Sequence, residues 1–249
     1  MAYIKGIDIS HHQGKVDWSK VKQDFVILKA SEGLSFKDAM FESYRTSARA
    51  KKIPLGFYHF ARGIDPVKEA DWFLRCVNEI KIGEVLALDF EIHIADPIGF
   101  CNKFVERIHE KVGFWLLFYS YSSMAALFKS GSVLNCGLWI ADPSARPRTG
   151  AWKTWAIWQY TVAKAGKTPG FTTTVDQDYF NGTVEQFKKY GKWPTVDSTV
   201  PAPVVAVSGD PVVIVPSDTN NTYTITVPVD TTPSIIQAIT TFFANLFKK

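Results

Sequence analysis

Short apolar runs rich in Val, Ile, Leu and Phe recur between residues 3 and 161, and polar segments separate them. Continuous apolar runs of this kind predict β-strands that are buried on both faces of a sheet. The seven predicted strands are YIKGIDIS (3–10), FVILKASE (25–32), LGFYHFA (55–61), EVLALDFE (84–91), WLLFYSY (115–121), LWIA (138–141) and AIWQYT (156–161).

Between the early strands, apolar residues recur with a period near 3.6, which predicts amphipathic helices. These stretches are KDAMFESYRTSARAKK (37–52), PVKEADWFLRCVNEI (66–80) and PIGFCNKFVERIHEK (97–111). Strands and helices that alternate at roughly 30-residue spacing indicate parallel βαβ units. We therefore predict an α/β fold, an irregular TIM-like barrel, in which loops rather than helices join the strands after Leu138.

The composition of the chain changes at Trp193. Residues 194–249 contain no Trp, Glu, Arg, His or Cys, and Val, Thr and Pro dominate there. We expect a barrel domain at 1–193, a Pro-rich linker at 194–204 and a small C-terminal appendage at 205–249 with short strands. The appendage ends in a predicted amphipathic helix at 233–247, because its Ile, Phe and Leu residues fall on one face.

The composition narrows the classes of function. The net charge is +4 without a block of Lys or Arg, so nothing points to nucleic acid, while a mild positive field suits an anionic polymer. The eight Trp and nine Tyr either fill the core or stack on sugar rings, and the sequence leaves both uses open.

Metal and disulfide chemistry are not indicated. The cysteines are three in number and form no CxxC pair, which indicates free buried thiols rather than a disulfide framework or a zinc cluster. His11 and His12 are adjacent, which is poor geometry for chelating one ion. We expect no metal and no cofactor.

Acidic residues stand where predicted strands end, and this is the edge of a parallel barrel that carries chemistry. Asp8 closes the first strand, Glu32 the second, and Asp89 and Glu91 the fourth. Along a strand, side chains alternate, so Asp89 and Glu91 share one face beside the apolar run 85–88.

Two such carboxyl groups repel each other and lose water, which raises the pKa of one of them. A carboxyl that stays protonated can protonate a glycosidic oxygen, and a carboxylate can stabilise the positive charge that develops on the sugar. The alternative is a structural salt bridge with Lys29 or Arg62. The strand-end position and the further acids favour the catalytic reading, with Glu91 as the acid.

Eight motifs in one order cover nearly all of residues 3–190 and resemble the family 25 glycoside hydrolases. These are the muramidases, or lysozymes, common in phage endolysins and in some bacteria and fungi. The motifs are GIDISHHQG (6–14), KASEG (29–33), GFYHFAR (56–62), LALDFE (86–91), FYSY (118–121), LWIA (138–141), WQYT (158–161) and VDQDYFNG (175–182).

The resemblance implies a (β/α)5β3 barrel and cleavage of the β-1,4 bond between N-acetylmuramic acid and N-acetylglucosamine, with retention of configuration. It implies Glu91 as general acid/base, and Asp89 either as nucleophile or as the group that orients and stabilises the substrate's acetamido group. Asp8 matches the first Asp of the family's opening motif. Asp176, not Asp178, matches the late Asp, and Asp178 often corresponds to a neutral residue in the family.

Further residues are candidates for substrate binding. Tyr58 and Tyr119 could hydrogen-bond sugars, Trp158 and Gln159 could wall the cleft, and Glu32 stands at a strand end. For each of them a purely structural role is the alternative. The expected partner is bacterial peptidoglycan.

Two other functions stay open. A chitinase-like hydrolase also uses a DxE strand, but its motif reads DGxDxDxE, and Ala87 occupies the position two before Asp89. A glycan-binding or structural wall protein on an inactive barrel is the third reading, although Asp8, Asp89, Glu91 and Asp176 are all present.

The sequence also suggests where the protein acts. MAYIKGIDIS has no basic segment followed by an apolar one, so we expect no signal peptide, and no run approaches the ~20 apolar residues of a membrane span. This fits a phage enzyme made in the host cytoplasm that acts at the wall after release, or as part of a virion. The helix at 233–247 has three open uses: packing or self-association, anchoring to wall or virion, and binding a membrane surface.

Overall fold

Eight strands close into a ring in the computed structural model, which describes residues 3–144, 146–161 and 168–192, together with three short strands of the appendage. A two-residue strand, β3, pairs with the end of β2 outside the ring. The strands are β1 (Ile4–Ile9), β2 (Phe25–Glu32), β3 (Phe36–Lys37), β4 (Leu55–Phe60), β5 (Val85–Asp89), β6 (Leu117–Tyr121), β7 (Gly137–Ala141), β8 (Ile157–Thr161) and β9 (Asp176–Phe180).

The ring is mostly parallel. Strands β1, β2, β4, β5, β6, β7 and β8 pair in parallel in that order, and β9 closes the ring antiparallel to both β8 and β1. The α/β barrel that the sequence predicts is therefore confirmed. The seven predicted strands are all present, and β9 is an eighth.

Strand β9 was not among the predicted strands because its sequence, DQDYF, lacks a continuous apolar run. Its inward residues Asp176 and Asp178 are acids, so the apolar pattern that marks the other strands is missing here. The structure also ends β5 at Asp89, so Glu91 lies just after the strand rather than within it.

Three helices lie where the period of 3.6 predicts them, namely α1 (Phe41–Ala50), α2 (Pro66–Val77) and α3 (Pro97–Val112). Two short helices, α4 (Ser122–Ala125) and α5 (Val184–Lys188), were not predicted. Asp65 begins α2 by accepting hydrogen bonds from two backbone N–H groups, and Pro66 occupies the first turn. Gly113, with φ 78°, ends α3 in the left-handed region. In the described parts of the connections from β7 to β9, no helix occurs, as predicted.

Strand alternation divides the core into two layers. Residues such as Leu86, Leu88 and Phe90 face outward and pack against α2 and α3. The neighbouring inward residues fill the barrel, and Phe25, Phe180 and Phe187 stack there edge-on or tilted. A Cβ on Gly6 would lie 2.2 Å from the Phe25 ring, so only glycine leaves room for that phenylalanine. Bulky apolar residues thus block one end of the barrel, and a pocket forms at the other.

All three cysteines, Cys76, Cys101 and Cys136, are buried and free, as the sequence predicts. Among the described residues, no helix is long and apolar enough to cross a membrane.

The chain divides into two compact units, Met1–Trp193 and Pro194–Lys249. In the second unit, β11 (Val213–Ser217) and β12 (Thr222–Val227) pair antiparallel, and β10 (Ala206–Val207) pairs in parallel with β12. Asn220 and Asn221, where the sequence allows a hairpin turn, lie outside the described residues. The predicted linker at 194–204 and the predicted helix at 233–247 lie outside the described residues.

Candidate active site

A pocket of about 240 Å³ opens at the C-terminal ends of the parallel strands. This is the end of a barrel at which side chains from many strands converge. The residues that line it are Asp8, Ser10, His12, Lys29, Tyr58, Phe60, Asp89, Glu91, Tyr119, Trp139, Gln159 and Asp176.

The register of the strands places several of these side chains at the same height along the barrel axis. Asp89 of β5 stands opposite Tyr119 of β6, and Tyr119 stands opposite Trp139 of β7. Asp8 of β1 stands opposite Asp176 of β9. Because neighbours in register point to the same side of a sheet, all five side chains project into the barrel.

The Asp89 and Glu91 carboxyl groups form the centre of the pocket. Asp89 is buried, Glu91 is exposed at the rim, and a hydrogen bond joins their side chains. Burial, followed by the charge of Glu91, raises the pKa of Asp89 well above its ordinary value. Burial also raises the pKa of Glu91. Two carboxyl groups in hydrogen-bond contact need a proton between them, so the pair retains a proton at pH values above the ordinary pKa of a carboxyl group.

Asp89 Oδ1 supports this protonation. The atom is buried and receives no hydrogen bond from an N–H or O–H donor of the protein. A buried polar atom without a partner is costly, and a proton on the Asp89–Glu91 pair lowers that cost because it reduces the negative charge that the Asp89 carboxyl group carries.

Lys29 is the cation of the pocket wall, and it does not form the salt bridge with Asp89 that the structural alternative required. Its Nζ donates to Glu32 at 2.6 Å and lies 4.9 Å from the centre of the Phe60 ring. Arg62 also binds Glu32. The positive charge of Lys29 lowers the pKa values of both Asp89 and Glu91, against the larger effect of burial.

A chain of hydrogen bonds orients the floor of the pocket. Tyr119 Oη donates to Gln159 Oε1 at 2.9 Å, and Gln159 Nε2 donates to Asp8 Oδ2 at 2.7 Å. Burial raises the pKa values of Tyr58 and Tyr119 well above 10, so both phenols keep their protons. Tyr58 can therefore donate a hydrogen bond to a ligand in this pocket, whereas Tyr119 Oη already donates its proton to Gln159 and can accept a bond from a ligand.

A further acid lies at this floor. Asp178 is fully buried, accepts a hydrogen bond from Trp139 Nε1 at 2.8 Å and contacts the Asp8 carboxyl through another hydrogen bond. Burial raises its pKa to about 7. Asp176, two residues earlier on the same face, lines the pocket. The sequence assigned Asp176 to the site and did not assign Asp178.

Of the predicted site residues, the structure brings seven to the pocket wall. They are Asp8, Tyr58, Asp89, Glu91, Tyr119, Gln159 and Asp176. Glu32 does not line the pocket, but it forms a salt bridge with Lys29, which does line it.

The structure places Trp158 outside the pocket. It precedes Gln159 on β8, so its side chain projects to the opposite face of the strand. Its Nε1 donates to the Asp142 carbonyl at 2.7 Å, and its ring packs near Trp155, Tyr160 and Tyr179. The prediction that it walls the cleft fails on geometry, because Trp158 and Gln159 are neighbours and cannot face the same side.

Five wall residues were not predicted, namely Ser10, His12, Lys29, Phe60 and Trp139. The strand pattern could have identified three of them. Phe60 is two residues from Tyr58 and so shares its face of β4. Lys29 and Trp139 stand opposite Tyr58 and Tyr119 on neighbouring strands. Ser10 and His12 follow β1 in a loop, where the sequence offers no periodic signal.

No group of three or more His, Cys, Asp or Glu side chains with metal-binding geometry occurs in the described part of the chain. His11 Nδ1 pairs with Asp38 at 2.7 Å instead.

The sequence and the fold both match known proteins. The pattern of the Glycosyl hydrolases family 25 matches residues 7–171. The chain is 28% identical to an autolytic lysozyme of Clostridium acetobutylicum over 186 residues, which are 72% of this chain and 56% of that protein. It is 28% identical to Lysozyme M1 of Streptomyces globisporus, covering 72% of this chain and 68% of that protein. The chain thus spans little more than half of the first relative.

Solved structures give the same result. A family 25 glycosyl hydrolase from Bacillus anthracis matches with a TM-score of 0.65 and 26% identity, over 76% of this chain and 93% of that one. A family 25 lysozyme from Aspergillus fumigatus matches with a TM-score of 0.64 and 27% identity, over 77% of this chain and 100% of that one. With its barrel, its acidic pocket and this match over most of the barrel, the chain belongs to family 25 of the glycosyl hydrolases.

Proposed function

We propose that this protein is a muramidase, a lysozyme that hydrolyses the β-1,4 bond between N-acetylmuramic acid and N-acetylglucosamine in bacterial peptidoglycan. The observation that carries the proposal is the hydrogen-bonded pair of Asp89 and Glu91 in an acidic pocket of a family 25 barrel. The names of two relatives, autolytic lysozyme and N,O-diacetylmuramidase, support the substrate class.

Glu91 is the general acid of this proposal. It stands at the rim, where a glycosidic oxygen can reach it, and burial of its carboxyl raises its pKa. A raised pKa keeps a larger fraction of the carboxyl protonated near neutral pH, as an acid catalyst requires. After bond cleavage the same carboxylate can accept a proton from the incoming water.

Asp89 is better suited to stabilise charge than to attack. An acid and a nucleophile that flank a glycosidic bond stand about 5 Å apart in retaining enzymes. Asp89 instead hydrogen-bonds Glu91 directly. From this position the Asp89 carboxylate can stabilise the positive charge that develops on the sugar as Glu91 gives up its proton, and it can orient a polar group of the sugar such as the acetamide.

The rest of the pocket binds and orients the sugar in this proposal. Asp8 and Asp176 supply acceptors on one wall, Tyr58 supplies a donor, and Tyr119 Oη supplies a further acceptor. Gln159 links the two sets through its bonds to Tyr119 and Asp8. The transition state of glycoside hydrolysis carries positive charge, which a cluster of carboxylates favours.

The first experiment compares wild type with Glu91→Gln on purified bacterial cell walls. Turbidity loss measures the rate, and mass spectrometry identifies the fragments. We expect muropeptides with reducing N-acetylmuramic acid from the wild type, and about 10²–10⁴-fold slower release from the variant. Glu110→Gln is the matched control, since Glu110 is an exposed residue of α3 remote from the pocket.

Each outcome of this experiment is decisive. Equal rates for wild type and Glu91→Gln would remove Glu91 from the mechanism. Wall binding without fragments, on several wall types, would indicate a glycan-binding protein on an inactive barrel. Fragments from chitin but not from peptidoglycan would indicate the chitinase-like reading.

We further propose that the enzyme serves phage lysis and acts on the wall after release, or as part of a virion. Its likeness to the solved CTP1L endolysin, with a TM-score of 0.64 and 28% identity, supports this role. Bacteria that express the protein should lyse only after a membrane-permeabilising agent is added. Lysis without such an agent would contradict dependence on release.

A further inference from the structure

Beneath the proposed catalytic pair lies a second pair of carboxyl groups, those of Asp8 and Asp178. Asp178 belongs to β9, which lies between β8 and β1, and it is fully buried inside the barrel. Asp8 of β1 lines the pocket. The two side chains are in hydrogen-bond contact. The mechanism proposed above uses Asp8 but gives no task to Asp178.

The hydrogen bonds of this pair are asymmetric. Asp178 Oδ1 accepts from Trp139 Nε1 at 2.8 Å, and Asp8 Oδ2 accepts from Gln159 Nε2 at 2.7 Å. Asp178 Oδ2, however, is buried and receives no N–H or O–H donor of the protein. If both carboxyl groups were ionised, two groups of acceptors would meet in a dry site and Oδ2 would hold negative charge without a donor, which is strongly unfavourable.

The charges around Asp178 do not relieve this repulsion. The acids that face it are Asp8 from β1 and Asp176 from β9, and the titratable groups from β6 and β8 are the phenols of Tyr119 and Tyr160. The neighbours on β7 and β8 that hydrogen-bond the pair, Trp139 and Gln159, are neutral. A proton between the two carboxyl groups is the remaining way to satisfy both.

We propose that Asp178 is a positioning residue that shares one proton with Asp8, so that the floor of the pocket carries one negative charge rather than two. The shared proton fixes the Asp8 carboxyl against Gln159 and thereby fixes the chain of hydrogen bonds to Tyr119. This inference rests on the proposed function only for its effect on catalysis, because the shared proton is a property of the folded barrel itself.

The proton has a direct consequence for stability. Burial raises the pKa of Asp178 to about 7, and it raises that of Asp8 as well. At a pH between the ordinary carboxyl pKa and the raised one, the folded protein therefore keeps a proton on this pair. The unfolded chain has released that proton. The stabilisation is complete at acid pH and is lost as the pH rises through about 7.

The test compares wild type with Asp178→Asn in thermal unfolding between pH 5 and pH 8. An asparagine can donate permanently to Asp8 and still accept from Trp139, so the proton no longer titrates. The Tm of wild type should fall by about 5 °C more than that of the variant over this range. Asp71→Asn is the matched control, since Asp71 binds Arg107 at the surface.

Asp8→Asn breaks the same pair from the other side and should show the same flattened dependence of Tm on pH. It keeps the test decisive if Asp178→Asn does not fold. Parallel pH dependences in wild type, Asp178→Asn and Asp8→Asn would overturn the shared proton.

Catalysis gives the second readout. When the pair ionises fully, two carboxylates and Asp176 repel one another, so wild-type activity on cell walls should decline in alkali. Loss of the Glu91 proton also limits activity in alkali, so Asp178→Asn should displace the alkaline limb to higher pH by only about half a unit. An unchanged alkaline limb would show that Asp178 has no positioning role. No activity from wild type at any pH would contradict the muramidase proposal, while the thermal result would still decide whether the proton is shared.

Discussion

At the scale of single residues, the pKa values of the acids in the pocket depend on burial and on a few nearby charges. Burial is the largest cause that raises the pKa values of Asp89 and Glu91, nearby acids add to it, and Lys29 opposes the rise with its positive charge. Lys29 is itself nearly buried and is held by Glu32. A cation in this position limits how far the acid pair is shifted and so sets the pH range over which Glu91 holds its proton.

Replacing Lys29 by methionine should therefore move the pH profile of wall hydrolysis. Without the cation, the pKa values of Asp89 and Glu91 rise further. Activity that needs protonated Glu91 should then persist to higher pH, with the alkaline limb displaced by about half a unit or more. Initial rates across the pH range measure this displacement independently of any general loss of activity.

Lys68→Met serves as the control for Lys29→Met, since Lys68 pairs with Asp65 at the exposed start of α2. If Lys29→Met and wild type have coincident alkaline limbs, Lys29 does not tune the acid pair.

At the scale of elements, a buried hydrogen-bond network joins β2, β4 and α2. Ser31, His59 and Glu69 are all fully buried, with Ser31 Oγ at 2.8 Å from His59 Nδ1 and His59 Nε2 at 3.0 Å from Glu69. A hydroxyl, an imidazole and a carboxylate that are hydrogen-bonded in this order resemble the nucleophile, base and acid of a catalytic triad. The residues face outward from the barrel and are sealed from water, so the network is structural.

Glu69 also fixes the loop after β4, because it accepts hydrogen bonds from the backbone N–H groups of Arg62 and Ile64. Burial tends to raise its pKa, but the bonds from His59 and from these N–H groups outweigh burial and lower it. Burial lowers the pKa of His59, so the imidazole is neutral and donates from Nε2.

Glu69→Gln should destabilise the fold by about 2 kcal/mol. The Glu69 carboxylate accepts hydrogen bonds from three N–H groups, and in the variant an NH₂ donor replaces one of its two accepting oxygens. A group with a lowered folded-state pKa stabilises above its ordinary pKa, and that contribution disappears as the pH falls. The difference in Tm between wild type and Glu69→Gln should therefore shrink in acid. Calorimetry at neutral and acid pH measures it, and a difference independent of pH would contradict an ionised Glu69.

At the scale of the whole molecule, the sequence predicts the barrel well because its signal is repeated. Seven apolar runs and three periodic helices all report on the same parallel architecture. Asp89 and Glu91 could be identified because they follow such a run. The pairing of Asp8 with Asp178 could not be predicted, since it depends on how an antiparallel strand with a polar pattern closes the ring. The predicted position of Trp158 was wrong because its neighbour Gln159 is the residue that faces inward.

The appendage belongs to the same scale, and its role remains a proposal: the segment 233–247 mediates self-association or anchors the enzyme to wall or virion. Phe243→Asp should weaken that association without affecting the barrel. Sedimentation of the full chain and co-pelleting with cell walls distinguish the two uses. Identical behaviour of Phe243→Asp and wild type in both assays would leave the apolar face without either role.

The closure of the ring by β9 has a consequence for biosynthesis. Asp8 lies on the first strand of the barrel and Asp176 on the last, and the two face each other only when β1 and β9 pair. A ribosome that has made the first seven strands has therefore produced every residue of the acid pair but only half of the opposite wall. Contacts so distant in sequence form late and slowly, so we expect the pocket to stay incomplete in the nascent polypeptide until β9 has left the ribosome and paired with β1.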